Sequence, residues 1–183
     1  MSTFNENISW VDESINSILQ QTYSNIEFII ILDNPQRIEL KKLLNDYSEK
    51  DKRVKVIINE ENLGLVKSLN KALLYASGTY IARIDADDIS HLNRLEKQIN
   101  FLETNNLDFV FSPVICIDEQ GNEYKKTNLI PLNSKQVKHI LAKGNISYHP
   151  TWFCKSEVYQ KLNGYREIDF CEDYDFSLRA LDA

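Results

Sequence analysis

The chain has 183 residues, of which 43% are apolar and 26% are charged, and its formal net charge is -6 at pH 7. This composition is typical of a folded domain with a buried core and excludes an intrinsically disordered chain. The acidic balance argues against nucleic acid as a partner, because proteins that bind a phosphate backbone are usually basic.

The sequence also bears on location. It contains no run of about 18 apolar residues, which a membrane-spanning helix would need. Residues 1–6 lack the basic and apolar regions of a signal peptide. We therefore expect a cytoplasmic protein, with peripheral attachment to the inner face of the membrane through other segments as the alternative.

Strand and helix patterns alternate through the first half of the chain. Short apolar runs rich in β-branched residues predict strands over residues 27–32, 54–58, 79–84 and 108–112. Amphipathic spacing predicts helices over residues 10–20, 36–49, 65–76 and 92–104. This order predicts an α/β fold in which a mostly parallel central sheet is flanked by helices.

The second half of the chain changes character. Residues 114–118 and 123–125 predict a β-hairpin with its turn at residues 120–122. A short helix over residues 134–143, an apolar run over 150–154 and a helix over 172–181 follow. We find no linker, so residues 1–183 are interpreted as one domain.

The two ends of the pattern are unusual. The first predicted helix begins near residue 10, although a doubly wound sheet normally has a strand ahead of its first helix. The last predicted helix has no visible cap. We therefore expect a shortened chain that lacks the first strand and the C-terminal part.

The sharpest local signal is the run of carboxylates at Asp85, Asp87 and Asp88, directly after an apolar strand. In open α/β sheets, ligands bind beyond the carboxyl ends of the strands. Carboxylates this close repel one another unless a cation offsets the charge, and Mg²⁺ prefers one or two carboxylates together with phosphate oxygens. The alternative is a helix cap formed by residues 88–90.

Two further loops follow predicted strands. Asp33 precedes Asn34 and Pro35, which fits a turn and equally a carboxylate that binds a base or a ribose. The segment Asn62-Leu63-Gly64 comes just before a helix, where Gly64 would adopt a positive φ or let a phosphate approach the helix N-terminus. Lys67 is a candidate partner for a diphosphate, and a solvated lysine is its plain alternative.

The C-terminal part offers one more constellation. Glu172 and Asp173 open the last predicted helix. Acidic residues there interact favourably with the helix dipole, and the alternative is that one of them is a general base. His149 precedes a proline and an apolar run. It is either a ligand-binding histidine or a structural one.

Taken in order, these segments resemble the family 2 glycosyltransferases, which have the glycosyltransferase A-type, Rossmann-like fold of nucleotide-diphospho-sugar transferases. Residues 2–6 are similar to the end of the family's first strand, "P-x-Y-N-E", and residues 13–23 to its first helix. Residues 31–34 resemble "V-D-D-G-S", residues 62–64 resemble "N-x-G", and residues 78–88 resemble the metal-binding strand. Residues 149–151 and 164–175 resemble the acceptor-side "H-P-T" and "E-D" segments.

The resemblance implies roles for individual positions. Residues 1–110 would bind the nucleotide sugar, usually a UDP-sugar, and residues 111–183 would form the acceptor side. Asp85 and Asp87 would hold ribose, diphosphate and Mn²⁺ or Mg²⁺, with Asp87 as the direct metal ligand. Asp173 would be the catalytic base, with Glu172 orienting the acceptor. The other implied substrate-binding residues are Thr3, Phe4, Asn5, Glu6, Asp33, Asn62, Gly64, Lys67, Ala86 and His149.

The implied reaction transfers a sugar to a hydroxyl of a saccharide or lipid-linked saccharide acceptor with inversion, in cell-surface or capsular polysaccharide synthesis. The sequence departs from the family pattern at Leu32, which replaces the first acidic residue of the "D-D" pair. Two alternatives stay open. One is a metal-dependent nucleotidyltransferase, which would need a phosphate cradle rich in lysine or arginine near Gly64, and the presence of only Lys67 and Lys71 there counts against it. The other is a truncated, non-catalytic nucleotide-binding relic.

Overall fold

The computed structural model describes residues 1–127, 132–168 and 170–181. The strands are β1 (Ser2–Thr3), β2 (Phe28–Leu32), β3 (Val54–Ile58), β4 (Tyr80–Ala82), β5 (Phe109–Val110), β6 (Ile115–Ile117), β7 (Glu123–Lys126) and β8 (Phe153–Lys155). The helices are α1 (Ile8–Leu19), α2 (Ile38–Lys50), α3 (Leu65–Tyr75), α4 (Arg94–Thr104), α5 (Ser134–Leu141), α6 (Ser156–Leu162) and α7 (Glu172–Leu181). A 3₁₀ turn covers His149–Thr151.

Strands β1, β2 and β3 form a parallel sheet in that order. Ser2 and Thr3 pair with Ile31 and Leu32, so a two-residue strand completes the edge beside β2. Strand β2 pairs with β3 over its whole length, from Phe28 with Val54 to Leu32 with Ile58. Because all three strands run the same way, their carboxyl ends meet at one edge.

Strands β4 and β5 lie in a second sheet, where both pair antiparallel with β8. The sequence pattern predicts a single mostly parallel sheet, and the parallel arrangement is confirmed for β1–β3. It fails for β4 and β5 because the later segment β8 inserts between them. Strands β6 and β7 form the predicted hairpin, and Gly121 in its turn has a φ of +81°.

The helices α1 and α2 cover the parallel sheet because each carries an apolar stripe. Val11 and Ile15 of α1 and Leu40 and Leu44 of α2 are fully buried against β2, whose Ile30 is also fully buried. The start of α1 is fixed by Asn7, whose side chain accepts a hydrogen bond from the Ser9 amide at 3.0 Å.

A second core is aromatic. Trp152 and Phe176 are fully buried, their ring centroids are 5.4 Å apart, and Tyr159 and Tyr165 pack beside them. Aromatic contacts at such distances stabilise beyond the area they bury. This core joins β8, α6 and α7.

Helix α6 was absent from the sequence-based prediction. It follows β8 without an intervening loop, and its seven residues place only a short apolar stripe on the aromatic core. Among the described residues, no helix combines the length and the apolar character needed to cross a membrane.

Candidate active site

The edge of the parallel sheet brings together the residues that follow its three strands. The Asp33 amide donates to the Thr3 carbonyl at 2.8 Å, and the Asn59 amide donates to the Leu32 carbonyl at 2.9 Å. Thr3, Asp33 and Asn59 are therefore neighbours at the carboxyl edge of the sheet, where ligands bind in this class of fold.

The Asp33 carboxylate shapes the loop at residues 62–64. It is only 3% exposed and accepts hydrogen bonds from the amides of Leu63 at 2.8 Å and Gly64 at 2.9 Å. The Asn59 side-chain amide donates to the same carboxylate at 2.6 Å. Gly64 has a φ of +82°, as its position predicts, and α3 begins directly after it. Binding of a base by Asp33 stays a prediction.

The polar network continues onto α3. Asn59 also donates to Ser68 Oγ at 2.9 Å and accepts from Lys71 Nζ at 2.8 Å. Lys67 lies on the exposed side of the same helix, with its Nζ 3.6 Å from a carboxylate oxygen of Glu167. Lys71 is thus tied to the sheet edge, whereas Lys67 extends toward the acceptor-side segment.

The loop after β1 is held by Glu6. Its carboxylate accepts hydrogen bonds from Thr3 Oγ1 and from the Phe4 amide, both at 2.7 Å. Asn5 accepts from the side chain of Asn34 at 2.9 Å, which ties this loop to the turn after Asp33. Phe4 is 38% exposed, so its ring is available to a ligand at this edge.

The acidic run is a turn rather than the end of a strand. Strand β4 ends at Ala82, and the Asp88 amide reaches back to the Asp85 carbonyl at 3.4 Å. The helix-cap alternative for residues 88–90 is wrong, because α4 begins only at Arg94. Ala86 is 2% exposed and its side chain packs in the core. A contact between Ala86 and a substrate would therefore have to come from its backbone.

The carboxylates of this turn oppose one another's ionisation. Burial, together with the charges of Asp85 and Asp87, raises the pKa of Asp88 to about 6. Burial also raises the pKa of Asp87, with additional repulsion from Asp85 and Glu6. Glu6 therefore adds its charge to that of the acidic turn, while Arg83 and Arg94 offset part of this negative charge.

Arg83 is a buried charged residue next to the acidic turn that the sequence-based interpretation missed. Its side chain is only 4% exposed, forms an ion pair with Asp85 and donates to the Ile84 carbonyl. Its Nε is buried without a hydrogen-bond partner within the described part of the chain. The sequence signal was an arginine within the apolar run over residues 79–84. A charge buried in such a run needs a partner.

The acidic turn fits a divalent cation by its chemistry. In the described ranges, no three His, Cys, Asp or Glu side chains form a ready-made metal cage. Mg²⁺ and similar ions need no such cage, since they combine one or two carboxylates with waters and substrate phosphates. Asp85 and Asp87 offer carboxylate oxygens of this kind at the sheet edge.

A cavity lies in the part of the chain that follows the hairpin. It has a volume of about 230 Å³ and contains the predicted base and the predicted histidine. Its lining residues are Asn145, Ile146, Ser147, Tyr148, His149, Pro150 and Asp173. Asp173 is half-buried in the first turn of α7, and Glu172 is the first residue of that helix.

His149 lines the same cavity and bonds to the aromatic core. Its Nε2 lies 2.9 Å from the Tyr165 hydroxyl. Burial, with the charge of Arg83, lowers the pKa of His149 to about 2. His149 is therefore neutral in the folded protein.

The sequence matches the family model described as glycosyl transferase family 2 over residues 1–162. It is 41% identical over 182 residues to an uncharacterised glycosyltransferase of Methanocaldococcus jannaschii, covering 99% of this chain and 63% of that protein. It is 40% identical over 173 residues to the O-antigen biosynthesis glycosyltransferase WbnJ of Escherichia coli, covering 94% of this chain and 66% of that protein. The chain thus spans about two thirds of the length of these relatives.

Solved structures share the fold. A mannosyltransferase from Pyrobaculum calidifontis in complex with GDP-Man and Mn²⁺ has a TM-score of 0.71 at 17% identity, over 98% of this chain and 50% of that one. TarS of S. aureus in complex with UDP-GlcNAc has a TM-score of 0.75 at 19% identity, over 98% of this chain and 52% of that one. With the family model matching most of its length, the chain belongs to glycosyl transferase family 2.

Proposed function

We propose that this chain transfers a sugar from a nucleotide-diphosphate sugar to a hydroxyl of a saccharide acceptor, with inversion at the anomeric carbon. The observation that carries the proposal is the acidic turn, where Asp85, Asp87 and Asp88 oppose one another's ionisation and the charge of Glu6 adds to the repulsion at Asp87. Carboxylates held together at such a cost in repulsion suit a site that binds a cation with a diphosphate.

The donor would lie along the edge formed by residues 3–6, Asp33 and the loop at Asn62–Gly64. The base would rest near Thr3 and Phe4, and the diphosphate near the acidic turn. A UDP-sugar is the donor we propose, in keeping with the UDP-GlcNAc bound by TarS. Because the mannosyltransferase is in complex with GDP-Man, both UDP and GDP have to be tested as the nucleotide of the donor.

Asp85 and Asp87 would hold Mn²⁺ or Mg²⁺, with Asp87 as the direct ligand because Asp85 is already paired with Arg83. When bound, such an ion offsets the negative charge that develops on the departing diphosphate. The buried Arg83 keeps a fixed positive charge beneath the same turn. That charge steadies Asp85 and requires no reorganisation during the reaction.

The acceptor would enter the cavity that contains Asp173. Asp173 takes the proton from the acceptor hydroxyl, and the hydroxyl oxygen attacks the anomeric carbon. The bond from that carbon to the diphosphate oxygen breaks, and the nucleoside diphosphate leaves. One such displacement inverts the anomeric configuration, and Glu172 beside Asp173 would orient the acceptor.

The acceptor we propose is a saccharide or a lipid-linked saccharide of a cell-surface polysaccharide. The relative WbnJ is named for O-antigen biosynthesis, which supports this class of acceptor. Work on a lipid-linked acceptor would take place at the inner face of the membrane, where the chain would act as a peripheral protein. The cytoplasm is the compartment in which nucleotide-sugar donors would reach it.

Thermal unfolding with nucleotide and metal tests donor binding. We expect UDP and Mn²⁺ together to raise Tm more than either does alone, because the diphosphate completes the metal site. Asp87→Asn should remove the metal-dependent part of this rise. Glu119→Gln, which neutralises an exposed carboxylate in the hairpin turn, is the matched control and should behave like the wild type.

Donor turnover tests the reaction. UDP-sugars and GDP-Man are incubated with the protein and Mn²⁺, and release of nucleoside diphosphate is measured with and without saccharide acceptors. If neither UDP nor GDP stabilises the protein in the presence of Mn²⁺, the proposed function is wrong. Stabilisation without transfer or donor hydrolysis would instead identify the non-catalytic binding protein.

A further inference from the structure

The side chain of Asn145 contacts the predicted catalytic base directly. Its Nδ2 donates to Asp173 Oδ2 at 2.9 Å, across 28 residues of chain. Asp173 Oδ1 accepts from the Tyr174 amide at 2.6 Å. The carboxylate is therefore held at both oxygens, and each oxygen keeps a lone pair for the proton of an acceptor hydroxyl.

The orientation of the Asn145 amide is fixed from its other end. Asn145 Oδ1 accepts hydrogen bonds from the Ser147 amide at 3.0 Å and from Ser147 Oγ at 2.8 Å. Two donors on the oxygen leave the NH₂ group to face Asp173. A flipped amide would set its NH₂ group against both Ser147 donors and its oxygen against a carboxylate, and both arrangements are repulsive.

Ser147 is itself anchored in the aromatic core. It is 2% exposed, and its carbonyl accepts from the indole Nε1 of the fully buried Trp152 at 3.3 Å. The contacts run from Trp152 through Ser147 and Asn145 to Asp173. A group at the surface is thus positioned by the rigid core, although Asn145 itself is exposed.

We propose that Asn145 is a positioning residue that holds the carboxylate of Asp173 in one orientation toward the acceptor hydroxyl. This inference rests on the proposed function, because it takes Asp173 as the base. Asn145 does not take part in proton transfer. Its effect is on the alignment of Asp173, and it makes no contact with the donor-binding edge in the hydrogen bonds described above.

The surroundings of Asp173 contain further charges that any pH experiment has to consider. Glu172 and Asp175 lie on α7 itself, and Asp175 is paired with Arg179 at 2.7 Å. His149 lines the same cavity. Helix α5, which packs against α7, carries Lys138 and His139 in its last turn. None of these residues is changed in the variants below.

Asn145→Asp is the decisive variant, because it replaces the donor to Asp173 by a second carboxylate. Two carboxylates at this distance disfavour each other's ionisation. We expect the acidic limb of the kcat profile to move by about one pH unit toward higher pH, while KM for the donor is unchanged. Asn45→Asp makes the same chemical change at an exposed position of α2 and should leave the profile in place.

Asn145→Ala removes the hydrogen bond without adding charge, and we expect kcat to fall about 10-fold with an unchanged donor KM. Ser147→Ala removes one of the two donors to Asn145 and should give a smaller loss of about 3-fold. A uniform structural defect would instead change kcat and KM together in all three variants.

A direct measurement keeps the inference testable without activity. The side-chain carboxyl of Asp173 is followed by NMR as the pH is lowered, in the wild type, Asn145→Asp and Asn45→Asp. A titration midpoint that moves upward only in Asn145→Asp supports the inference, and an unchanged midpoint overturns it. Wild-type protein that binds nucleotide but never transfers sugar would overturn the proposed function while leaving this contact intact.

Discussion

Asp33 and Gly64 lie 31 residues apart in the chain and are joined by a hydrogen bond of 2.9 Å from the Gly64 amide to Asp33 Oδ2. The bond crosses from the end of β2 to the residue that precedes α3. It fixes the backbone of the loop at the edge where the donor would bind. The Asp33 carboxylate therefore stabilises this loop whether or not it also contacts a nucleotide.

Asp33→Asn tests this task. An amide would set its NH₂ group against the amide of either Leu63 or Gly64, so that Leu63 would lose its acceptor or Gly64 would keep only its bond to Asn62 Oδ1. We expect the free energy of unfolding in urea to fall by about 1–3 kcal/mol, and the donor KM to rise with the disordered loop. Asp46→Asn on α2 is the control. A variant as stable as the wild type would contradict the structural role.

Arg83 offsets negative charge in the acidic turn. Replacing Arg83 should therefore make the stability of the protein depend more strongly on bound metal. Arg83→Met leaves Asp85 without its ion-pair partner beside Asp87 and Asp88. We expect a loss of about 1 kcal/mol without metal, because the Asp85 carboxylate that remains is 36% exposed and is partly screened by water. Mn²⁺ should restore more of the Tm than it adds to the wild type, because it supplies the missing positive charge.

Arg83→Lys is the matched variant for this experiment, since it keeps the charge and loses the planar guanidinium. Its response to Mn²⁺ should lie close to that of the wild type. Equal Mn²⁺ effects in the wild type, Arg83→Met and Arg83→Lys would show that Arg83 and the cation do not share one electrostatic site.

His149 makes a prediction about pH and stability. Burial, with the charge of Arg83, lowers its pKa to about 2 in the folded protein, against 6.5 for an exposed histidine. Below pH 6.5 the unfolded chain therefore binds a proton that the folded protein does not. Stability from this group is complete above pH 6.5 and is lost as the pH falls, by about 2 kcal/mol at pH 5.

Urea unfolding at pH 7.5 and pH 5 checks the sign. His149→Gln keeps a partner for the Tyr165 hydroxyl and removes the titration, so its stability should depend less on pH by that amount. His139→Gln changes an exposed histidine of α5 and should retain the wild-type dependence. The prediction would be wrong if the two variants had the same pH dependence.

Gly164 holds the acceptor-side loop against α3. It has a φ of +69°, and a Cβ there would lie 2.4 Å from Asn70 Oδ1. That same oxygen accepts from the Tyr165 amide at 2.9 Å, while Asn70 Nδ2 donates to the Tyr165 carbonyl at 2.9 Å. Gly164→Ala should therefore cost about 1–3 kcal/mol in urea unfolding, through backbone strain and the displaced Asn70 side chain.

Gly144→Ala is a suitable control for this substitution. A Cβ at Gly144 would meet open space, and its φ does not lie in the left-handed region. The variant should be close to the wild type in stability. If Gly164→Ala were equally harmless, the loop would not depend on the contact with Asn70.

Much of this fold was readable from local patterns. The β-branched run over residues 54–58 coincides with β3, and the helices of the first half differ from their predicted bounds by about two residues. The strand over residues 79–84 was predicted too long, because the turn of Asp85 and Asp88 bends the chain away after Ala82. Periodicity describes each segment alone, so it did not show that β8 would separate β4 from β5.

The candidate site could likewise be predicted only in part. The carboxylates stood out because residue type and position after a strand carry the signal. The partners of these carboxylates did not stand out. The hydrogen bonds from Gly64 to Asp33 and from Asn145 to Asp173 join residues that are 31 and 28 positions apart. Such pairings depend on how the loops pack. Arg83 could have been suspected, because a charged side chain within an apolar strand has to be paired when it is buried.

Asp173 carries the prediction about chemistry. Asp173→Asn keeps the shape of the side chain and removes the base, so transfer should fall by about 10²–10⁴-fold. Donor and metal binding should be retained, because Asp85 and Asp87 lie in a different turn, and the Tm rise with UDP and Mn²⁺ should equal that of the wild type. Asp46→Asn on α2 is the control for the change itself. Transfer that survives in Asp173→Asn would assign the base to another residue, and a lost response to UDP and Mn²⁺ would place Asp173 in the donor site instead.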